Sequence, residues 1–572
     1  MTKVRLLLAG SVGALVLALP AHACEKHNPA KQTQTELKLF GKVHHMTPRS
    51  ATVDEAPLWP GTDAVSYPVT TKSPQAQQYF NQGLMLAYGF NHAEARRSFQ
   101  AAQRLDPTCA MCFWGEALVL GPNINAPMDP DTNGAAHAAV THALSLMQGA
   151  SARERSLISA LAKRYTNKPG VERSVLDASY ADAMVAVAAR FPVDAEVATL
   201  TAEALMDLTP WDYWEAGGGE PKGRTSDILK LLEGVLARNP DHPGAIHLYI
   251  HAVEASDRPE RAEAYADRLA SQKLGAGHLV HMPSHIYYRV GRYKDSLEVN
   301  KRAVAADEVF LKSGTGSGIY AGGYYPHNIH FLMVSAQMAG DGPTAITAAE
   351  KLEAAISDEV ARTYPWVQPI KASPLFAHAQ FSEPERILSL PRPTGSFPYV
   401  EALWHYTRGV AFAALKDKAA AQGEAQAIAD ILVSTDWSSL VSGGLPAPDV
   451  LALAREVVLG RIAQAENNFD EAVAAFERAA SIEDRLPYME PPFWYYPVRQ
   501  SLGAAYLQAG DAAKAEHAFR TSLKAAPHNG WALFGLYEVF GRKGESSERE
   551  DIARRLDRSW AGERSLLYLP RL

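Results

Sequence analysis

Apolar and polar positions follow a helical period along most of the chain. From Ser73 onward, small and large apolar residues also recur at fixed spacing. Gly83, Ala95, Phe99, Ala102 and Pro107 form one set; Gly460, Ala472, Phe476 and Ala479 a second; Gly503, Ala515, Phe519 and Pro527 a third. The spacing has a physical reading. A helix needs a small residue where a second helix crosses it, an alanine and a phenylalanine on the second helix fill the crossing, and proline ends that helix. Each set predicts a helix–turn–helix hairpin, and Trp531 with Gly535 opens another helix of the kind. Between these sets, residues 136–146, 152–165, 175–190 and 194–208 read as amphipathic helices, and 225–238 as a helix stopped by Asn239-Pro240. Residues 211–223 hold Trp211, Tyr213, Trp214 and three glycines without the Lys-Ser/Thr ending of a phosphate loop, and read as an insertion on one face.

These offsets resemble positions 8, 20, 24, 27 and 32 of the tetratricopeptide repeat. The resemblance implies an all-α, right-handed solenoid superhelix in which helix pairs stack and the first helix of each pair, helix A, lines the concave face. The strings CAMCFWGEALVLGPNINAPM, HLYIHAVEAS, GHLVHMPSHIYYRVGRY and YYPHNIHFL further resemble a group of exported bacterial tetratricopeptide proteins, which lends a fold and little chemistry. The expected organisation is a signal peptide at 1–23, an extended or disordered segment at 24–72, a solenoid with a histidine-lined groove at 73–382, and a C-terminal repeat block at 401–572. Residues 383–400, with Pro384, Pro391, Pro393 and Pro398, are either a linker between two blocks or one long loop in a continuous array.

Composition narrows the partners. The chain has 572 residues, 47% hydrophobic and 21% charged, with net charge −7 and no long basic run, which argues against nucleic acid. Lys3 and Arg5, a short apolar run at 6–19 and Ala21-His22-Ala23 have the form of an export signal, so a periplasmic or secreted location is expected. Cys24 would then begin the mature chain; Ala21, where lipoprotein signals favour leucine, argues against a lipid anchor there. No later stretch is long and apolar enough to span a bilayer.

The chemistry lies in the histidines. Laying the repeat frame over 243–345 puts Pro243, Gly277 and Pro326 at position 1 of three consecutive repeats, and proline suits the first turn of a helix. His247 and His251 then fall at positions 5 and 9, with Glu254 at 12; His278, His281 and His285 at 2, 5 and 9; His327 and His330 at 2 and 5. These positions share one helical face, and the resemblance implies that this face lines the groove. Seven of the nine available positions are histidine in a chain with 19 histidines, far above chance. Imidazole is the commonest transition-metal ligand, and pairs four apart on a helix can share one ion. Seven exceed one ion's needs, so two or three ions fit. Copper is favoured by the Irving–Williams order, with zinc or iron as alternatives. Glu254, Tyr288, Tyr324, Tyr325 and Gln337 are candidates to ligate or to orient the ligands. Pro283 falls at position 7 of its helix; it must either kink that helix or start it, and the second outcome would leave His278 and His281 on a loop.

Cys109 and Cys112 lie in what Thr108 would cap as the first turn of a helix; they read as a disulfide, as metal ligands with Glu116, or as a redox pair. No histidine follows them, which excludes c-type haem attachment. The aromatic, proline-rich residues 487–500 read as packing at a repeat junction, and His405, His517 and His528 as isolated. Two functions are therefore expected: a metalloprotein, with a multi-histidine oxidoreductase ahead of a hydrolase using Glu254 as base; and, as the alternative, an adaptor that binds a peptide or protein partner in the groove.

Overall fold

The computed structural model describes residues 56–312, 318–363, 367–394 and 396–572. The expected signal peptide and Cys24 lie outside the described residues. Regular structure among the described residues is helical apart from two isolated bridges, Asn123–Ala126 and Trp214–Pro221. The chain forms an all-α superhelix of tetratricopeptide type from stacked antiparallel hairpins.

The small-residue crossings stand where the spacing puts them. Helix Pro74–Tyr88 pairs with His92–Leu105, Ala447–Ala465 with Phe469–Glu483, and Val498–Gln508 with Ala512–Ala525. A Cβ on Gly83, Gly460 or Gly503 would stand 2.6 to 2.7 Å from the ring of Phe99, Phe476 or Phe519, so none fits. Phe99 and Phe519 also press on Gly115 and Gly535 of the following helix.

The turns within hairpins share one design. In seven of them a backbone N–H reaches back to a carbonyl near the end of helix A: Asn91 to Leu86, Arg292 to Tyr287, Asp341 to Ala336, Asp417 to Phe412, Asn468 to Ala463, Asp511 to Tyr506 and Glu545 to Phe540. The residue before each donor is left-handed. It is glycine at 291, 340, 510 and 544, Lys416 and Asn467 in two more, and Phe90 in the first.

Residues 56–72 are extended but not loose. Trp59 donates its N–H to Gln82 and its indole to Glu94, Thr70 donates to Glu154, and Val65 and Tyr67 are buried. The 211–223 insertion wraps the end of helix Pro243–Val253, with Trp214 Nε1 donating to the Ala252 carbonyl at 2.8 Å and Asp257 N–H to the Gly218 carbonyl at 3.1 Å. The prolines of 383–400 do not interrupt the core: a short helix, Pro384–Leu388, lies in the stretch, and one apolar cluster runs through Phe376, Phe397, Tyr399 and Trp494. The C-terminal repeats close back on the third histidine repeat. Ala561 N–H donates to the Ala339 carbonyl at 2.8 Å, Trp531 Nε1 to the Gln337 carbonyl at 3.2 Å, and Trp560 covers Gly340.

Candidate metal centre

Three neighbouring segments carry the histidines: helix Pro243–Val253, ending at Glu254; the pair Gly277–His281 and Pro283–Arg289; and Tyr325–Ala339, entered through a π-helical turn, Tyr320–Tyr324. Pro283 kinks its helix rather than starting it after a loop. It has no N–H to give the preceding turn, so the helix splits, yet Met282 keeps helical angles (φ −51, ψ −37) and the path stays helical. His278 and His281 therefore stay on the same face as His285. His247, His251, His278, His281 and His285 are at most 1% exposed; His327 is half-buried.

The hydrogen bonds fix the tautomers. His247 Nδ1 lies 2.6 Å from the Tyr88 carbonyl, which can only accept. His251 Nδ1 and His285 Nδ1 each lie 2.6 Å from one oxygen of Glu254. His281 Nδ1 lies 2.7 Å from Asn300 Oδ1, and that amide is oriented because Asn300 Nδ2 donates to the Ser296 carbonyl at 2.8 Å. All four Nδ1 atoms are thus donors, so in each ring that is neutral the lone pair is on Nε2. Nε2 of His247 and of His251 is buried with no partner, as are both ring nitrogens of His278. Nε2 of His281 and of His285 face each other at 2.8 Å. Two lone pairs at that distance repel unless a cation, proton or metal, is shared between them. Each ring held through Nδ1 by an acceptor, with Nε2 aimed inward, is the arrangement of metal-ligating histidines.

The donor atoms fall into sets whose members lie within 4.8 Å of one another: His247, His251 and His278; His281, His285 and His327; and His251, Glu254 and His285, which joins the first two. Glu254 is fully buried and spends both oxygens on imidazoles, and among the described residues no lysine or arginine side chain pairs with its carboxylate. A buried carboxylate without a cation is costly; a protonated His285, or a metal beyond the two imidazoles, would supply the charge. Burial works against the Glu254 anion, but the His285 and His251 partners hold it well below the usual carboxylate range. Burial, with help from neighbouring imidazoles, pushes His247, His278, His281 and His327 well below the usual histidine value, which keeps them neutral and ready to ligate. Burial also lowers His251, against Glu254; at His285 the Glu254 charge and hydrogen bond overcome burial and raise it.

Four expected members of the site stand elsewhere. His330 turns to the C-terminal block, its Nε2 2.9 Å from the Tyr495 hydroxyl, because position 5 of this last helix faces Tyr495 rather than the other imidazoles. Tyr325 donates to Glu308 at 3.3 Å and Gln337 to Gln380 at 2.9 Å. Tyr288 packs on Tyr293 and Phe331. Tyr324 does reach the cluster, its ring 4.8 Å from that of His278 and its phenol beside Asn125 and Asn123. Cys109 and Cys112 form a disulfide. Cys109, not Thr108, caps its helix, and Glu116 is taken by Arg96, Gln100 and Gln103, which leaves it no part in a metal site.

The tetratricopeptide repeat family matches at residues 457–485 and 496–529. Over these residues the chain carries tetratricopeptide repeats. Comparison with curated proteins gives no match. Among solved structures, the APC/C hetero-tetramer Cut9–Hcn1 is similar at 12% identity over 89% of this chain and 80% of that one, TM-score 0.30. Human IFIT1 as a dimer with m7Gppp-AAAA is similar at 11% over 93% and 95%, TM-score 0.31. Yeast Tom70 is similar at 11% over 85% and 93%, TM-score 0.26. Likenesses this distant say nothing of this chain's ligand or activity.

Two further polar groups near the cluster differ in how far the sequence marks them. In the repeat frame Asn300 falls at position 24, where Phe99, Phe476 and Phe519 stand in the other sets; a polar residue there is a visible signal, and it is the group that orients His281. Glu490 carried no such signal. It comes from the 487–500 segment, takes a hydrogen bond from Tyr488 at 2.7 Å, and leaves its other oxygen unpartnered. Burial and the Glu254 charge push its carboxyl up to about 7.

Proposed function

We propose that this is an exported tetratricopeptide-repeat metalloprotein, holding transition-metal ions in two three-histidine pockets joined by Glu254. The observation that carries the reading is the facing pair of Nε2 lone pairs on His281 and His285, each fixed by an acceptor on Nδ1. An all-nitrogen set favours copper, with zinc and iron as alternatives. The form of residues 1–23 and the Cys109–Cys112 disulfide support an oxidising, exported compartment.

A bound copper or iron ion would supply one-electron chemistry, which makes an oxidoreductase the favoured enzyme class. The chain's own residues orient and shield. Tyr88, Glu254 and Asn300 fix the tautomers, and Phe90, Trp211 and Phe331 pack on the imidazoles. The hydrolase reading loses support, since both oxygens of Glu254 are committed to imidazoles and neither is free to accept a proton from water. A peptide in the groove could not reach imidazoles this deeply buried, so partner binding would use other repeat surfaces.

Elemental analysis of the protein purified from its native compartment tests the reading. About two ions of one transition metal per chain are expected. His251→Ala and His285→Ala should each lose metal while keeping helical content. Glu254→Gln should lose it too, because its NH2 would face an imidazole N–H. A folded wild-type chain that carries no metal and takes up neither Cu(II) nor Zn(II) would overturn the proposal.

A further inference from the structure

Phe90 stands at a left-handed turn position that holds glycine in four of the other hairpins and Lys416 or Asn467 in two. The equivalent left-handed position is Gly291, Gly340, Gly510 or Gly544 in four other hairpin turns, whereas Phe90 has φ +54 and still makes the shared turn through Asn91 N–H and the Leu86 carbonyl. A bulky side chain in that conformation is strained, so its packing must hold it there. The ring is 1% exposed, and its centroid lies 4.5 Å from that of His247, 5.5 Å from His278 and 6.2 Å from His251. Trp211, from the distant 211–223 insertion, is the other large apolar ring with positive φ among the described residues, at φ +63. It meets His251 edge-on at 5.0 Å. Two strained aromatics from separate parts of the chain thus converge on one pocket, whose inner face is the unpartnered Nε2 atoms of His247 and His251 and the ring of His278. Strain kept at such a place marks function.

We propose that Phe90 and Trp211 determine the ligand specificity of the His247–His251–His278 pocket. They wall its remaining side, so that an ion held there accepts an external ligand no bulkier than a small linear anion or a diatomic molecule and excludes ring-sized ligands. This rests on the metal reading above. The phenyl ring of Phe90 is larger than an imidazole, so its removal opens a space that imidazole fills, next to an ion that imidazole ligates well.

The test uses the full chain reconstituted with Cu(II), titrated with azide and, separately, with imidazole, and followed by absorption and electron paramagnetic resonance. The wild type should bind azide and exclude imidazole. Phe90→Gly should bind imidazole at least about tenfold more tightly than the wild type, with azide affinity changed by less than about threefold. Glycine stands at four of the equivalent turns, so the backbone accommodates it; circular dichroism checks the fold, and Trp211→Gly repeats the test if Phe90→Gly does not fold. A wild type that takes imidazole as readily as azide, or variants that leave its exclusion unchanged, would overturn this proposal and leave the metal reading standing. A wild type that binds no Cu(II) would overturn both.

Discussion

At the scale of single residues, hydrogen-bond bookkeeping decides what each titratable group can do. Asp106 shows this outside the histidine cluster. It is buried at the end of helix His92–Leu105 and accepts from the hydroxyls of Thr71 and Thr108 and from the N–H groups of Lys72 and Thr108. Burial opposes the charge, but these four bonds outweigh it and hold the carboxyl at about 2, against an ordinary 3.8. A lowered folded-state value means stability that is complete above the unfolded value and is lost as pH falls through the folded one. The linkage amounts to roughly 2 kcal/mol. Asp106→Asn should therefore lower stability by about that much at pH 7, and the gap should close between about pH 4 and pH 2 in denaturant melts. A gap that stays constant across that window would assign the loss to packing instead. Hydrogen bonds of the same kind explain how much of the histidine cluster is legible in the sequence. The positions of His247, His251, His281 and His285 followed from helical spacing, because spacing fixes which face a side chain leaves from. Glu254, the Nδ1 partner of His251 and His285, was legible at position 12 of the same face; the partners of His281 and His247 were not, since Asn300 sits on the following helix and the Tyr88 carbonyl lies 159 residues away in sequence.

At the scale of helices and hairpins, the sequence was most legible where backbones approach closely. Gly503 is glycine because the Phe519 ring leaves no room for a Cβ, and the following Gly535 meets the same ring. Gly503→Ala should cost about 1–3 kcal/mol through overpacking. Phe519→Leu in the same chain should return part of that loss, so the double variant should be more stable than the sum of the two single effects predicts; thermal unfolding of all four chains measures it. Strict additivity would mean the two residues do not share the crossing. Less legible was Pro283. Proline spacing alone allows a kink or a fresh helix start. The kink prevails because Met282 retains helical angles while His278, His281 and His285 are all buried against neighbouring helices, and a loop there would leave buried backbone groups unpaired.

At the scale of the whole molecule, the superhelix brings distant repeats together, and this is where spacing misassigned His330. Its repeat position matches His247 and His281, yet its neighbour in space is Tyr495, from the 487–500 segment of the C-terminal block. Nothing in local periodicity reports how far the superhelix turns before two blocks meet. Burial pulls His330 down to about 3, so the imidazole is neutral and the bond to Tyr495 is an uncharged one. Such a bond, buried and linking two blocks, contributes about 1 kcal/mol, and leaving one partner unpaired costs about 1–3 kcal/mol. Tyr495→Phe and His330→Leu should each destabilise the chain by an amount in that range, and the double variant should cost less than the two losses added together. Neither should change the metal content of the purified protein, because the donor sets are complete without His330. This separates the two roles that the repeat frame alone had merged. If His330→Leu loses metal in step with His285→Ala while Tyr495→Phe does not, then His330 belongs to the centre and the hydrogen bond to Tyr495 is a resting arrangement that gives way when the ion binds.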